Sequence, residues 1–480
     1  MKRQSLARKE DSSRFLCSRS RSNSIQRSQE MFELVPNYVG KEIPEDISMR
    51  LRIDISYFNT GLVLLAFGAF AAVIFSLRAA AFSSDPEADL SSGSKHVLEM
   101  DKDYRLANPS SYIFSGFSIK EILSLGDFPD YAKLSGVPLP SPLPNFNVDK
   151  AVPRPYRPLR WVYHQTMAFK KMNVDFWIEL ESTYRERMRQ RQEVCAKHGK
   201  EVIQALPGSE LACKELMEMV IQFICTRYPN QFQLIGTTLV NHILETKHNL
   251  KEHEPLHILR DNVPEDFAIT LRDEKTGHYI FRAGIICSSI GWNLGRKMNQ
   301  DLDVIHGPVP EYKEKMAFSM NRFFSKMPAS NPIQRGSWGL SQGQPLYLPG
   351  DPGKASLKYR DAPNPSLKPE GIFLRTDWQT LRRLPLSGAV VFNFKVLFTP
   401  ITEFEDEPYI PSLMLKVLNE GKENLMEHKA TRHVEHVTKP TLEMYERLQI
   451  EKGLIPRDWE PRTLDESPFF PTWEKKWRTS

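Results

Sequence analysis

The stretch "GAVVFNFKVLFTPI", residues 388–401, constrains this chain more than any other. Val390, Phe392, Phe394, Val396 and Phe398 alternate with more polar neighbours. A side-chain period of two is the mark of a strand with one buried face. Its backbone N–H and C=O groups need partners, so a strand of this kind implies a sheet around it. Upstream, "DFAITLRDEKTGHYIFRAGIICSS" reads as two further β segments joined by a turn at Lys275 to Gly277.

Helical spacing appears elsewhere. Trp177, Leu180, Tyr184 and Met188 recur on one face, and a second helix starts at Ser209 and carries Cys213, Leu216, Val220 and Ile224 towards Pro229. Tyr312, Met316, Met320, Phe323 and Met327 mark a third, opened by Pro310. Helices followed by a sheet with a helix inserted among its strands define an α+β class, centred on about residues 265–405. The 480 residues, 40% apolar, suffice for a real core.

One segment adds a membrane expectation. No charge interrupts the chain between Asp54 and Arg78, and about 20 apolar residues cross a bilayer as a helix. Residues 57–78 are therefore expected to be a single transmembrane helix in contact with lipid. They follow a disordered Ser/Arg-rich tail, residues 1–56, and precede a tether with a proline-rich arm, residues 79–154. Localisation is then a single-pass membrane, endoplasmic reticulum or mitochondrial, with the side left open by a weak charge asymmetry. Residues 155–260 form a helical part, 261–420 a sheet-based part, and 421–480 a peripheral extension.

Other classes are excluded. A net charge of +5 is too small to imply nucleic-acid binding, and the five cysteines form no CxxC pair. GxSxG, HExxH, Walker and helix-opening GxGxxG motifs are missing. The remaining signals are polar stretches beside the strands. "FLRTDWQTLRRLPLSG" holds Arg375, Asp377, Gln379, Arg382 and Arg383, of which the first three share one face of an extended segment. Arg335 and Trp338 make a polar–aromatic corner, and Glu265 with Asp266 is either a turn signal or part of a site wall. His306, in "LDVIHGPVPEY", reads either as a metal ligand or as a residue closing a loop.

Taken together, "EDFAI", "GWNLGRKMNQDLDVIHGPVPEYKEKM", "RGSW" and "LRTDWQTLRRLPLSGAVVFNFKV" resemble the α subunit of heme-dependent oxidative N-demethylases. So does the earlier "YRPLRW…MAFKKMNVDFWIELESTY…RYPNQF", and the resemblance covers about residues 155–420. It implies a PAS-like antiparallel sheet with flanking helices that binds heme b. With dioxygen as co-substrate and electrons from an external flavin or iron–sulfur donor, such a protein demethylates small secondary or tertiary amines. His306 becomes the candidate axial iron ligand. Arg375, Arg383, Gln379, Arg335 and Trp338 become candidate cofactor contacts, and Asp377 and Glu265 candidate catalytic carboxylates facing a protonated amine. Family members usually carry Glu at the position of Asp377 and Asn at that of Ser337. The alternative function is a non-catalytic PAS-like heme or ligand sensor; a third is a scaffold with a closed pocket.

Overall fold

The computed structural model describes residues 115–350, 360 and 362–479. Among them are strands β1 (Lys170–Lys171), β2 (Ile203–Ala205), β3 (Phe232–Ile235), β4 (Thr238–Asn241) and β5 (Thr246–Asn249). The longer strands follow: β6 (Asp266–Arg272), β7 (Tyr279–Ile285), β8 (Ile333–Gln342), β9 (Ile372–Arg383) and β10 (Val390–Pro400). The helices used below are α1 (Tyr184–His198), α2 (Glu210–Arg227), α3 (Leu302–His306), α4 (Ala317–Lys326), α5 (Ile410–Glu420), α6 (Glu423–Lys429) and α7 (Arg432–Glu451).

The alternating stretch is β10, at the middle of a seven-stranded antiparallel sheet of order β1-β8-β9-β10-β6-β7-β2. It pairs with β9 from Val390↔Arg383 to Pro400↔Phe373 and with β6 from Val390↔Thr270 to Phe394↔Asp266. The β9–β10 connection is held by charge. The buried Glu215 carboxylate, on α2, accepts the backbone N–H groups of Leu386 (2.6 Å) and Ser387 (2.7 Å). Arg383 donates to the carbonyls of Gly388, Met327 and Phe324 and to the Tyr279 hydroxyl, tying the turn to the end of α4. A second, three-stranded sheet, β3-β4-β5, lies inside the region expected to be helical.

Two helices start later than their spacing predicts. Trp177 and Leu180 precede α1, because the Glu181 carboxylate captures both the N–H (2.7 Å) and the hydroxyl (2.6 Å) of Thr183 and folds the chain into a turn there. The helix expected from Pro310 is split into Tyr312–Lys315 and α4, with Met316 at the joint and Glu311 in the left-handed region. The β6–β7 turn falls where expected: the Asp273 carboxylate accepts the N–H groups of Lys275 and Thr276, and Gly277 has φ +74°.

The proline-rich arm is built into the body. Arg154 forms an ion pair with Glu179, and Arg157 grips Glu407 through two bonds of 2.7 Å, with both side chains of that second pair buried. The C-terminal segment crosses it, the Pro468 carbonyl accepting the Arg157 N–H. Helices α5 and α7 pack with Leu159, Trp338 and Leu374 into one apolar cluster.

The single-pass membrane localisation is corrected. No helix among the described residues is long and apolar enough to cross a membrane. The 20-residue α7 carries charges along its length, and α2 bears Glu210, Lys214, Glu215, Glu218 and Arg227. Residues 57–78 and the tail before them lie outside the described residues.

Candidate functional site

A cavity of about 330 Å³ opens against one face of the large sheet. Strand register decides which side chains reach it. Gln379 and Leu381 of β9 stand beside Phe394 and Phe392 of β10, and Arg335 of β8 stands opposite Gln379. Ala268 and Thr270 of β6 and Phe281 of β7 extend that floor. The facing wall is Trp292, the end of α3, Tyr312, Met316 and α4, and the rim is made by the arm at Pro158–Phe169 and by Leu425, His428 and Lys429 of α6. The lining is mostly aromatic and aliphatic, with a few polar groups, as in a small-molecule or cofactor site.

His306 closes α3, whose first turn is capped by Asp301 accepting the Val304 N–H at 2.8 Å. Its Nδ1–H donates to the Leu302 carbonyl one turn back, at 2.7 Å, and the ring stacks on Tyr312 with centroids 5.2 Å apart and planes 19° apart. Tyr312 is held in turn by its hydroxyl donating to Asp303 at 2.8 Å. Burial pushes the imidazole down to about 4, against the help of the Leu302 carbonyl. At neutral pH the ring is uncharged, its Nδ1 proton is committed, and Nε2 makes no hydrogen bond among the described residues. A neutral imidazole fixed through Nδ1 is the form that binds a metal.

The charges of the wall are one-sided. Arg160, Lys297, Arg335 and Lys429 line the cavity, and no Asp or Glu is among its described lining residues. Burial pushes Arg335 down to about 10, and nearby Arg160 adds to that. Its buried Nε has no hydrogen-bond partner among the described residues, and neither does the Trp338 Nε1. Burial likewise lowers Lys429 and Lys297, each to about 8. Lys429 donates to the Trp338 carbonyl at 2.5 Å and lies 3.4 Å from the Ser337 Oγ. Lys297 rests over the Trp292 ring, 4.4 Å from its centre. Half-buried cations with no acid among the described lining residues are costly, so this wall favours an anionic group.

His306, Arg335, Trp338 and Gln379 are thus brought together around one cavity, whereas four other sequence-chosen residues are not among its lining. Arg375 and Asp377 share Gln379's face of β9 but sit further along it. Arg375 donates to the Ser288 and Pro345 carbonyls and to Asp377 (3.3 Å). Arg383, at the other end of β9, is occupied by the turn and the α4 terminus described above. Glu265 precedes β6 by one residue, out of phase with Ala268 and Thr270, which face the cavity. One oxygen accepts the Glu179 N–H at 2.9 Å, the other is buried without a partner, and burial raises the carboxyl to about 7.

Sequence reasoning missed Lys297, Lys429 and Tyr163. Arg160 and Lys297 lay inside quoted motifs, "YRPLRW" and "GWNLGRKMNQDLDVIHGPVPEYKEKM", without being singled out. A lone lysine on a polar helix carries no signal of its own, because its meaning comes from the walls that desolvate it. Residues 168–439, more than half of the chain, match the family model described as Haem-dependent oxidative N-demethylase, alpha subunit-like.

Proposed function

The chain belongs to the haem-dependent oxidative N-demethylase alpha-subunit-like family, and from that premise we propose that the cavity is a heme b site serving oxidative N-demethylation. The observation that carries this reading is His306: a neutral imidazole, its Nδ1 proton committed to Leu302, on the wall of an aromatic cavity with unanswered cations. The donor set fits the cofactor. His306 Nε2 would hold the iron. Arg335, whose Nε has no hydrogen-bond partner among the described residues, would hold heme carboxylates together with its neighbour Arg160. A heme held there would lie against one face of the antiparallel sheet, which would make the arrangement PAS-like.

Bound there, heme supplies the redox chemistry by which an N-methylamine, dioxygen, two electrons and two protons give the demethylated amine, formaldehyde and water. The electrons come from a separate flavin or iron–sulfur donor. This chain's residues do the rest. Phe281, Phe392, Phe394 and Trp292 exclude water. Gln379 presents both a donor and an acceptor on the sheet floor. Tyr312 keeps the His306 ring plane fixed.

The test is the visible spectrum of the full chain, expressed with heme, beside His306→Ala. A Soret band in the parent that shifts or disappears in the variant is expected. A band that ignores the substitution discards His306 as the ligand, and a parent with no band discards the heme site. Heme binding without turnover of any N-methylamine in the presence of dioxygen and reductant leaves the sensor reading instead.

A further inference from the structure

The charge balance of the cavity points past the cofactor to the substrate. Four cationic side chains line it, and heme b brings two carboxylates. Two positive charges are then left over in a site where desolvation makes each of them costly.

Lys429 is placed to use one of these charges. It has three donors, and its partners are neutral: the Trp338 carbonyl at 2.5 Å and, more weakly, the Ser337 hydroxyl at 3.4 Å. Its ammonium group lies 5.0 Å from the centre of the Trp338 ring and 5.9 Å from that of Tyr163. The acid that faces it, Asp377, is bonded to Arg375 and is not part of the lining. On the same wall Arg335 pushes against it. This leaves a cation beside two aromatic rings whose centres are 6.0 Å apart, with donor capacity to spare and no carboxylate bonded to it among the described residues. A bare alkylammonium ion meets the opposite situation: four like charges and no described acidic residue in the lining.

Resting on the heme reading, we propose that the substrate carries a carboxylate in the same small molecule as its N-methyl group, as N-methylated amino acids do, and that Lys429 binds it. Lys429 is then a specificity-determining residue, and Arg335 with Arg160 remains with the cofactor.

The test is calorimetric titration of the heme-loaded full chain with N-methylglycine and with dimethylamine, together with measurement of retained heme. N-methylglycine is expected to bind at least about tenfold more tightly, a difference of about 1.4 kcal/mol. Lys429→Gln should abolish that preference and leave heme retention unchanged, while Lys429→Arg should keep part of it. Equal or tighter binding of dimethylamine by the unaltered chain overturns the proposal without any variant. If Lys429→Gln releases heme and keeps the preference, Lys429 belongs to the cofactor's carboxylates and the proposal also fails. A parent without a Soret band sinks the heme reading separately. Calorimetry needs no chromophore, so the same comparison on the heme-free chain then decides whether Lys429 selects a carboxylate.

Discussion

The β9–β10 turn and the cavity wall both hold polar groups away from water against one sheet, and they treat them in opposite ways. At the turn, Arg383 is surrounded by carbonyls and Glu215 by backbone N–H groups. On the wall, Arg335 and the Trp338 indole keep buried donors without partners among the described residues. Buried polar groups that are satisfied specify one backbone path; those left open are an energetic cost that a ligand can recover. The difference separates architecture from recognition within a few residues of one sheet.

The largest expected effect breaks the first half of that comparison. Arg383→Met strands the carbonyls of Phe324, Met327 and Gly388, and should cost about 3–5 kcal/mol in denaturant unfolding. A loss below about 1 kcal/mol would mean the turn does not depend on it.

Next come opposite pH dependences. Burial raises Glu215 to about 7 from 4.5, so the folded state holds its proton more tightly than the unfolded one. That contribution is present below about pH 4.5 and lost as pH rises through 7. His306 is lowered to about 4 from 6.5, so its contribution is present above pH 6.5 and lost as pH falls towards 4. Glu215→Gln should make stability rise more steeply with pH between 4.5 and 7, and His306→Phe should make it rise less. Each change should amount to about 2 kcal/mol across the window after allowance for solvent screening. Thermal melts of the heme-free chain at stepped pH measure both slopes, and slopes that move the same way would refute the contrast.

Arg335→Met sharpens the second half. Removing a half-buried cation with no ion-pair partner among the described residues should leave the heme-free fold unchanged or about 1 kcal/mol more stable, while heme retention falls. Loss of stability together with loss of heme would make Arg335 structural. The smallest effect is Asp273→Ala in the β6–β7 turn, expected to cost about 0.5–1 kcal/mol and to leave ligand binding untouched.

Much of the sheet was legible because strand alternation is a local property. Val390–Phe398 and the common face of Arg375, Asp377 and Gln379 follow from a period of two, and β9 keeps that phase. Where the cavity ends along that face was not legible. Gln379 lines it and Asp377, two residues earlier, does not, its carboxylate being bonded to Arg375. His306 could be noticed but not interpreted, since its tautomer is set by a bond to a residue four back in a five-residue helix. Of the cations of the wall, Arg335 was noticed and the other three were not, and the four could not be read as one set. Arg160, Lys297, Arg335 and Lys429 are ordinary in the sequence and become unusual only when four separate segments desolvate them together.

The buried Arg157–Glu407 pair joins residues 250 positions apart. Pro158 and Arg160, beside it, form part of the rim of the cavity, and Lys429 completes that rim from much later in the chain. Bringing such distant segments together is slow because loop closure must precede the contacts that reward it. During synthesis, then, the first residues of the pocket wait for more than half the polypeptide to be made before they acquire a site to belong to. Any guest that needs both sides of the cavity must be loaded into a finished chain, and its supply can limit how much active protein a cell holds without changing the rate at which the chain is translated.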